Sequence, residues 1–176
     1  MDNHYLVEMA KNGDKNAFSK LIKGLQNEMY RIAKTRFYNE ADIEDAVQET
    51  ILQAFKSIKN LKYTQYFNTW IIKILINNCN IIYKEKNNIQ LEDYQYVNTF
   101  ISSNNTTSVD EKLSFDYIMK NLNYDERIAI TLYYMEGYTN REISKILNTS
   151  VGTIKSRISR AKQKIKELYK EEIKNG

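Results

Sequence analysis

The chain contains no proline and only five glycines in 176 residues. The residue types that most often interrupt regular backbone are scarce, which favours long helices over short strands and tight turns. A single cysteine, Cys79, excludes an intramolecular disulfide and any cysteine-based metal cluster. A single histidine, His4, gives no basis for a catalytic triad or a histidine-based metal site. Long apolar runs are also missing: the longest, Trp70 to Ile76, contains Lys73 and is far too short to cross a bilayer. Asp2, His4 and Glu8 break any apolar opening, so no signal peptide is expected and a cytoplasmic protein is. There is no glycine-rich phosphate loop, no HExxH and no CxxC. Neither an enzyme nor a cofactor is expected.

What is present is 42 % hydrophobic and 27 % charged, enough to bury one core or two small ones in a soluble chain. The first 84 residues and the last 61 are each net basic, and residues 85–115 between them are net acidic. Two basic ends around an acidic middle suit two nucleic-acid-facing units and a linker. Asn, Ile, Lys and Tyr are all abundant and all have AT-rich codons, so clustering of lysine says more than its total.

Helical periodicity runs through most of the chain. A short helix from His4 ends at Asn12-Gly13, and Asp14 is expected to cap a second, with Phe18, Leu21, Ile22 and Leu25 on one side. Asp42 is expected to cap a third helix reaching about Ile58, with Ile43, Ala46, Val47, Ile51, Ala54, Phe55 and Ile58 inward. Asp45, Gln48, Glu49 and Leu52 then share an outer stripe. It reads either as a solvated face or as a surface that docks on a partner helix. A loop with Tyr63 and Tyr66 leads to a fourth helix, Phe67 to Lys84. Its inward side is expected to hold Phe67, Trp70, Ile71, Ile74, Leu75, Cys79 and Ile82. Asn68, Lys73, Asn77, Asn78, Asn80, Tyr83 and Lys84 remain for the other face. Periodicity is lost over residues 87–112, an Asn/Ser/Thr-rich linker with one expected turn around Leu91 to Tyr94.

A second domain, residues 113–176, opens with Leu113 to Leu122 and a helix capped by Asn123, with Ile128, Ile130, Leu132 and Tyr133 inward and Gly137 at its end. The segment Tyr138 to Lys166, YTNREISKILNTSVGTIKSRISRAKQKIK, then reads as two helices around a short turn. Thr139 or Asn140 caps the first with support from Glu142, Asn148 suits a left-handed stop, and Ser150 caps the second. Val151, Ile154, Ile158, Ala161 and Ile165 form one stripe of that second helix. Six cations, Lys155, Arg157, Arg160, Lys162, Lys164 and Lys166, lie elsewhere on it, with no acid between Val151 and Lys166. A solvated amphipathic helix would explain the charge alone. The preceding helix and turn favour a helix-turn-helix that enters a DNA groove.

Four blocks in this order resemble the extracytoplasmic-function group of bacterial sigma factors, within the sigma-70 family. They are GDKNAFSKLI, DIEDAVQETILQAFKSI, YFNTWIIKILINN and LNYDERIAITLYYMEGYTNREISKILNTSVGTIKSRISRAKQKIKEL. The resemblance implies an all-α protein with two small helical domains. Residues 1–86 would bind the clamp helices of core RNA polymerase and recognise and melt the −10 promoter element. Residues 113–176 would recognise the −35 element and lie at the flap region. It further implies polymerase contacts at Asp45, Val47, Gln48, Glu49, Leu52 and Phe55, with Val47 and Phe55 partly core. It implies −10 contacts at Asn68, Asn77, Asn80, Tyr83 and Lys84, with Tyr63 and Tyr66 in the loop. In the second domain it implies contacts at Thr153, Lys155, Ser156, Arg157 and Arg160, with Lys162 and Lys164 on the DNA backbone. Members of the group often pair with an anti-sigma protein. The chain departs from the family pattern at Tyr83-Lys84-Glu85-Lys86, where members usually carry several arginines. Two other readings stay open: a helix-turn-helix regulator that does not dock on polymerase, and a sigma-like adaptor that does not bind promoters.

Overall fold

The computed structural model describes residues 3–87 and 115–175. The expected linker from residue 88 onward, its turn around 91–94, and the start of the second domain at 113–114 lie outside the described residues. Among the described residues the fold is helical throughout, without strands, and it divides into two compact units. No described helix is long and apolar enough to cross a membrane.

The first unit consists of α1 (Asn3–Lys11), α2 (Lys15–Lys34), α3 (Glu40–Ser57) and α4 (Phe67–Lys86), with 3-10 turns at Ile58–Asn60 and Thr64–Tyr66. Gly13 makes the turn after α1 at φ +97°, a conformation that costs glycine little. Asp14 caps α2 as expected, accepting from the backbone N–H groups of Asn16 and Ala17 at 2.8 and 3.0 Å. α3 starts earlier than expected. Its cap is Asn39, whose side-chain oxygen accepts from the Ala41 N–H at 2.9 Å, and not Asp42. Asp42 lies in the first turn, is buried, and pairs with Lys86 at the far end of α4. That pairing also takes α4 one half-turn beyond the expected Lys84.

α2, α3 and α4 enclose the core of this unit, with Met29, Ile32, Ile43, Phe67, Ile71 and Leu75 fully buried. The inward side of α4 is rotated relative to the expectation. Ile72, Ile76 and Asn78 are buried, whereas Trp70, Ile74 and Ile82 are only half-buried. Asn78 is inward because α3 supplies its partner. Its amide donates to Thr50 Oγ1 at 3.1 Å, and Thr50 donates to the Ala46 carbonyl at 2.7 Å. Thr50→Ala should therefore cost about 1–3 kcal/mol, the penalty of a buried amide left unsatisfied, read as a lower midpoint in urea.

Cys79 is buried among these side chains, and burial pushes its thiol pKa up to about 12 against a small opposing pull from Arg36. The thiol stays neutral in the folded protein through pH 9 and above, and only the thiolate reacts quickly. Alkylation at pH 8 should be slow in native protein and become fast in denaturant. Fast labelling of native protein would contradict this burial.

The second unit consists of α5 (Phe115–Lys120), α6 (Tyr124–Ile130), a π-helical turn (Thr131–Met135), α7 (Asn140–Ile146) and α8 (Val151–Asn175). Leu122, Ile130 and Ala161 form a buried cluster with Met119 and Ile165 against it. Asn123 caps α6 in a complete capping box with Glu126. Arg127 donates to the carbonyls of Met119 and Leu122 at 3.3 and 2.6 Å and so ties α6 to the end of α5 and the turn after it. Tyr133 does not pack inward as expected. In the π turn the Glu136 N–H reaches back five residues to the Thr131 carbonyl, which rotates the side chains of this turn away from the α-helical register. Tyr133, Tyr134 and Met135 all end up exposed.

Candidate functional site

Three surfaces hold the residues singled out by sequence. The first is on α3. Asp45, Gln48 and Glu49 are exposed, as is Leu52 at 54 % of its surface. Val47 is half-buried, as expected of a residue shared between core and surface. Phe55, inward by periodicity and partly core by the resemblance, is 46 % exposed, its ring edge-on to Phe18 with centroids 5.2 Å apart. The buried Ile43, Ala46 and Ala54 hold the opposite side of the helix. The result is a stripe of two acids and an amide around two large apolar side chains.

The second surface lies on α4 and the loop before it. Tyr63 and Tyr66 are exposed and meet edge to face at 6.2 Å. Asn77, Asn80 and Lys84 recur at helical spacing with the exposed Lys73, so these four share one face. Asn80 brings to it a buried amide oxygen without a hydrogen-bond partner. Asn68 and Tyr83 do not join that face. Both sit half-buried toward the packed side, and Tyr83 carries the Arg36 guanidinium over its ring at 3.7 Å. Trp70 was expected to be core. Half-buried, it lies beside the same face at the i−3 position from Lys73.

The third surface is the helix-turn-helix. Thr139 caps α7, its N–H and hydroxyl both donating to Glu142 while the Glu142 N–H donates back to Thr139 Oγ1. Asn148 stands at φ +49°, the left-handed stop expected there. Ser150 caps α8 by accepting from the Thr153 N–H at 3.0 Å. Ile154, Ile158 and Ala161 bury one side of α8. Lys155, Ser156, Arg160, Lys162 and Lys166 are exposed on the rest, and Thr153 is half-buried with its hydroxyl on Ser150. Two cations are already engaged. Arg157 donates to Asp125 at 2.6 Å, and Lys164 to the buried Glu126 at 2.8 Å. Sequence reasoning missed both pairs, because Asp125 and Glu126 read only as ordinary first-turn acids of α6. Among the described residues, no three His, Cys, Asp or Glu side chains converge on a metal site.

Comparison with known proteins bears on all three surfaces. The model of sigma-70 region 2 matches residues 21–85, which contain the first two surfaces. The model of sigma-70 region 4 matches residues 112–165, which contain the third except Lys166. The ECF RNA polymerase sigma-E factor of Haemophilus influenzae is 34 % identical over 91 % of each chain. That of Escherichia coli is 28 % identical over 91 % of this chain and 90 % of its own. Among solved structures, the sigma factor RpoE of Bartonella quintana, in complex with the anti-sigma factor NepR, is 25 % identical with a TM-score of 0.66 over 87 % of this chain and 96 % of its own. CnrH, in complex with the cytosolic domain of CnrY, shares the fold at 23 % identity and a TM-score of 0.67 over 96 % of this chain and 97 % of its own. Two region models in the family's order and a relative sharing a third of its residues across nearly the whole chain agree: this chain belongs to the extracytoplasmic-function group of the sigma-70 family.

Proposed function

We propose that the α3 stripe seats the chain on the clamp helices of core RNA polymerase, and that the α4 and α8 faces then read a promoter. The chain is an alternative sigma factor that directs transcription initiation. One observation carries the docking step: Leu52 and Phe55 are exposed on a helix whose other side is fully packed. A regulator that only binds DNA has no use for that surface, whereas a helix-on-helix contact buries it. Asp45, Gln48 and Glu49 would supply a polar rim and Val47 a supporting contact from beneath.

At the −10 element, Tyr63 and Tyr66 can stack on unpaired bases, at about 1–3 kcal/mol per stacked base. That is the scale needed to offset the few kcal/mol of unstacking. Asn77, Asn80, Lys73 and Lys84 would hold the strand. Asn68 and Tyr83 would act by supporting that face. At the −35 element, α8 would enter the major groove with Thr153, Lys155, Ser156 and Arg160 foremost, and Lys162 would touch backbone. Lys164 would act through α6. The second unit would also meet the flap region of polymerase. The chain would make no bonds itself, work in the cytoplasm where polymerase and promoters are, and be held inactive by an anti-sigma protein, as the NepR partner of the Bartonella quintana relative suggests.

The test is reconstituted transcription with purified chain, bacterial core polymerase and upstream fragments of the source genome. Core-dependent initiation at discrete start sites is expected. DNA binding without initiation, while a control sigma factor works in the same tube, would favour the stand-alone regulator.

A further inference from the structure

The six cations of α8 up to Lys166 fall into two rows. Lys155, Lys162 and Lys166 lie on the side away from α6 and are exposed. Thr153, Arg157, Arg160 and Lys164 recur at i, i+4, i+7 and i+11 along the other edge. In that second row, two of three cations are engaged by consecutive acids of α6. The two acids are not equivalent. Glu126 is buried and already serves the capping box, with Asn123 N–H and Lys164 both donating to its Oε2. Asp125 takes no part in that box, and its side chain is 45 % exposed. It therefore stands at the rim of the basic face, 2.6 Å from the guanidinium of Arg157, whose side chain is only 19 % exposed.

We propose that Asp125 is a screening residue, which holds Arg157 off DNA phosphates and so limits the sequence-independent grip of α8. The proposal rests on the reading of α8 as a DNA interface. Non-specific affinity grows with the number of phosphates neutralised, whereas specificity is the ratio of specific to non-specific binding. A phosphate that approaches Arg157 meets the Asp125 carboxylate within the unscreened range, so the pair offers the backbone little net charge. Arg160 and the Lys155 row keep theirs. A segment with six cations, Val151 to Lys166, thus grips non-promoter DNA like one with fewer, and more of its discrimination is left to base edges.

The experiment measures binding of the full chain to a random-sequence duplex by fluorescence anisotropy across a salt series. Asp125→Asn should strengthen low-salt binding about three- to ten-fold and steepen the salt slope by about 0.9, one added phosphate contact. Adding Arg157→Ala to it should abolish the gain. Asp125→Glu, which keeps the charge, should stay near wild type. Arg160→Ala, a cation outside both pairs, should flatten the slope. If Arg160→Ala flattens it while Asp125→Asn leaves it unchanged or flattens it too, the screening role is overturned and the interface stands. If neither variant moves the slope, the interface reading fails and takes the screening role with it. Equal melting temperatures across the set separate these outcomes from loss of fold.

Discussion

Leu52→Lys combined with Gln48→Ala should reduce binding to core polymerase by about 30- to 1,000-fold, the loss of one or two hot-spot residues at about 2–4 kcal/mol. Leu52 is 54 % exposed, so removing it opens no cavity in the first unit. Lysine and alanine are both good helix formers, and the introduced lysine sits three residues after Glu49, an acceptable helical neighbour. The melting temperature should move by no more than a surface substitution moves it. Initiation should collapse at low core concentration and recover partly as core is raised, because the defect lies in assembly. Binding of the free chain to DNA should be untouched. A variant that still initiates normally at limiting core would remove α3 from the docking surface.

Glu126→Ala should be the most damaging single change among the charged residues of the second unit. The side chain is 2 % exposed and meets two needs: it closes the cap of α6 through the Asn123 N–H, and it pairs with Lys164 of α8. A lost cap costs about 0.5–2 kcal/mol. Breaking a buried pair costs more, but Lys164 is 40 % exposed and can turn to solvent, which discounts that part. About 1–3 kcal/mol is expected in total, a large share of the stability of so small a unit. Hydrogen exchange should speed up in α6 and the first half of α8 and stay unchanged in α3. Promoter binding should fall while core binding through the first unit persists. Glu126→Gln keeps an acceptor for the cap and should fall between alanine and wild type.

These outcomes also mark what could be read from sequence. Caps were legible where the answer is local: Asp14, Asn123, Thr139, Ser150 and the left-handed Asn148 each act within a few residues. Asn39 and Asp42 are two good caps three residues apart, and their choice was made by Lys86, forty-four positions from Asp42. Asn78 reads as surface until Thr50 is placed beside it. The α3 stripe was legible because helical spacing alone separates Asp45, Gln48, Glu49 and Leu52 from the core. Periodicity alone puts Phe55 inward, whereas an aromatic at the edge of a stripe can rest on another ring, here Phe18, and still face solvent. The division of the α8 cations into engaged and exposed depends on α6 and has no local signature.

The π turn at Thr131–Met135 has a consequence of its own. It takes up one residue more than an α-helical turn would, and each residue of an α-helix turns the chain by about 100°. Deleting one residue from Thr131–Met135 would let the segment wind as ordinary helix, yet remove no buried side chain if the deleted residue were Tyr134. Everything downstream would still leave Gly137 on nearly the same bearing, because the wide turn and its surplus residue would vanish together. The turn works as a pleat, which stores spare length without moving the edge beyond it.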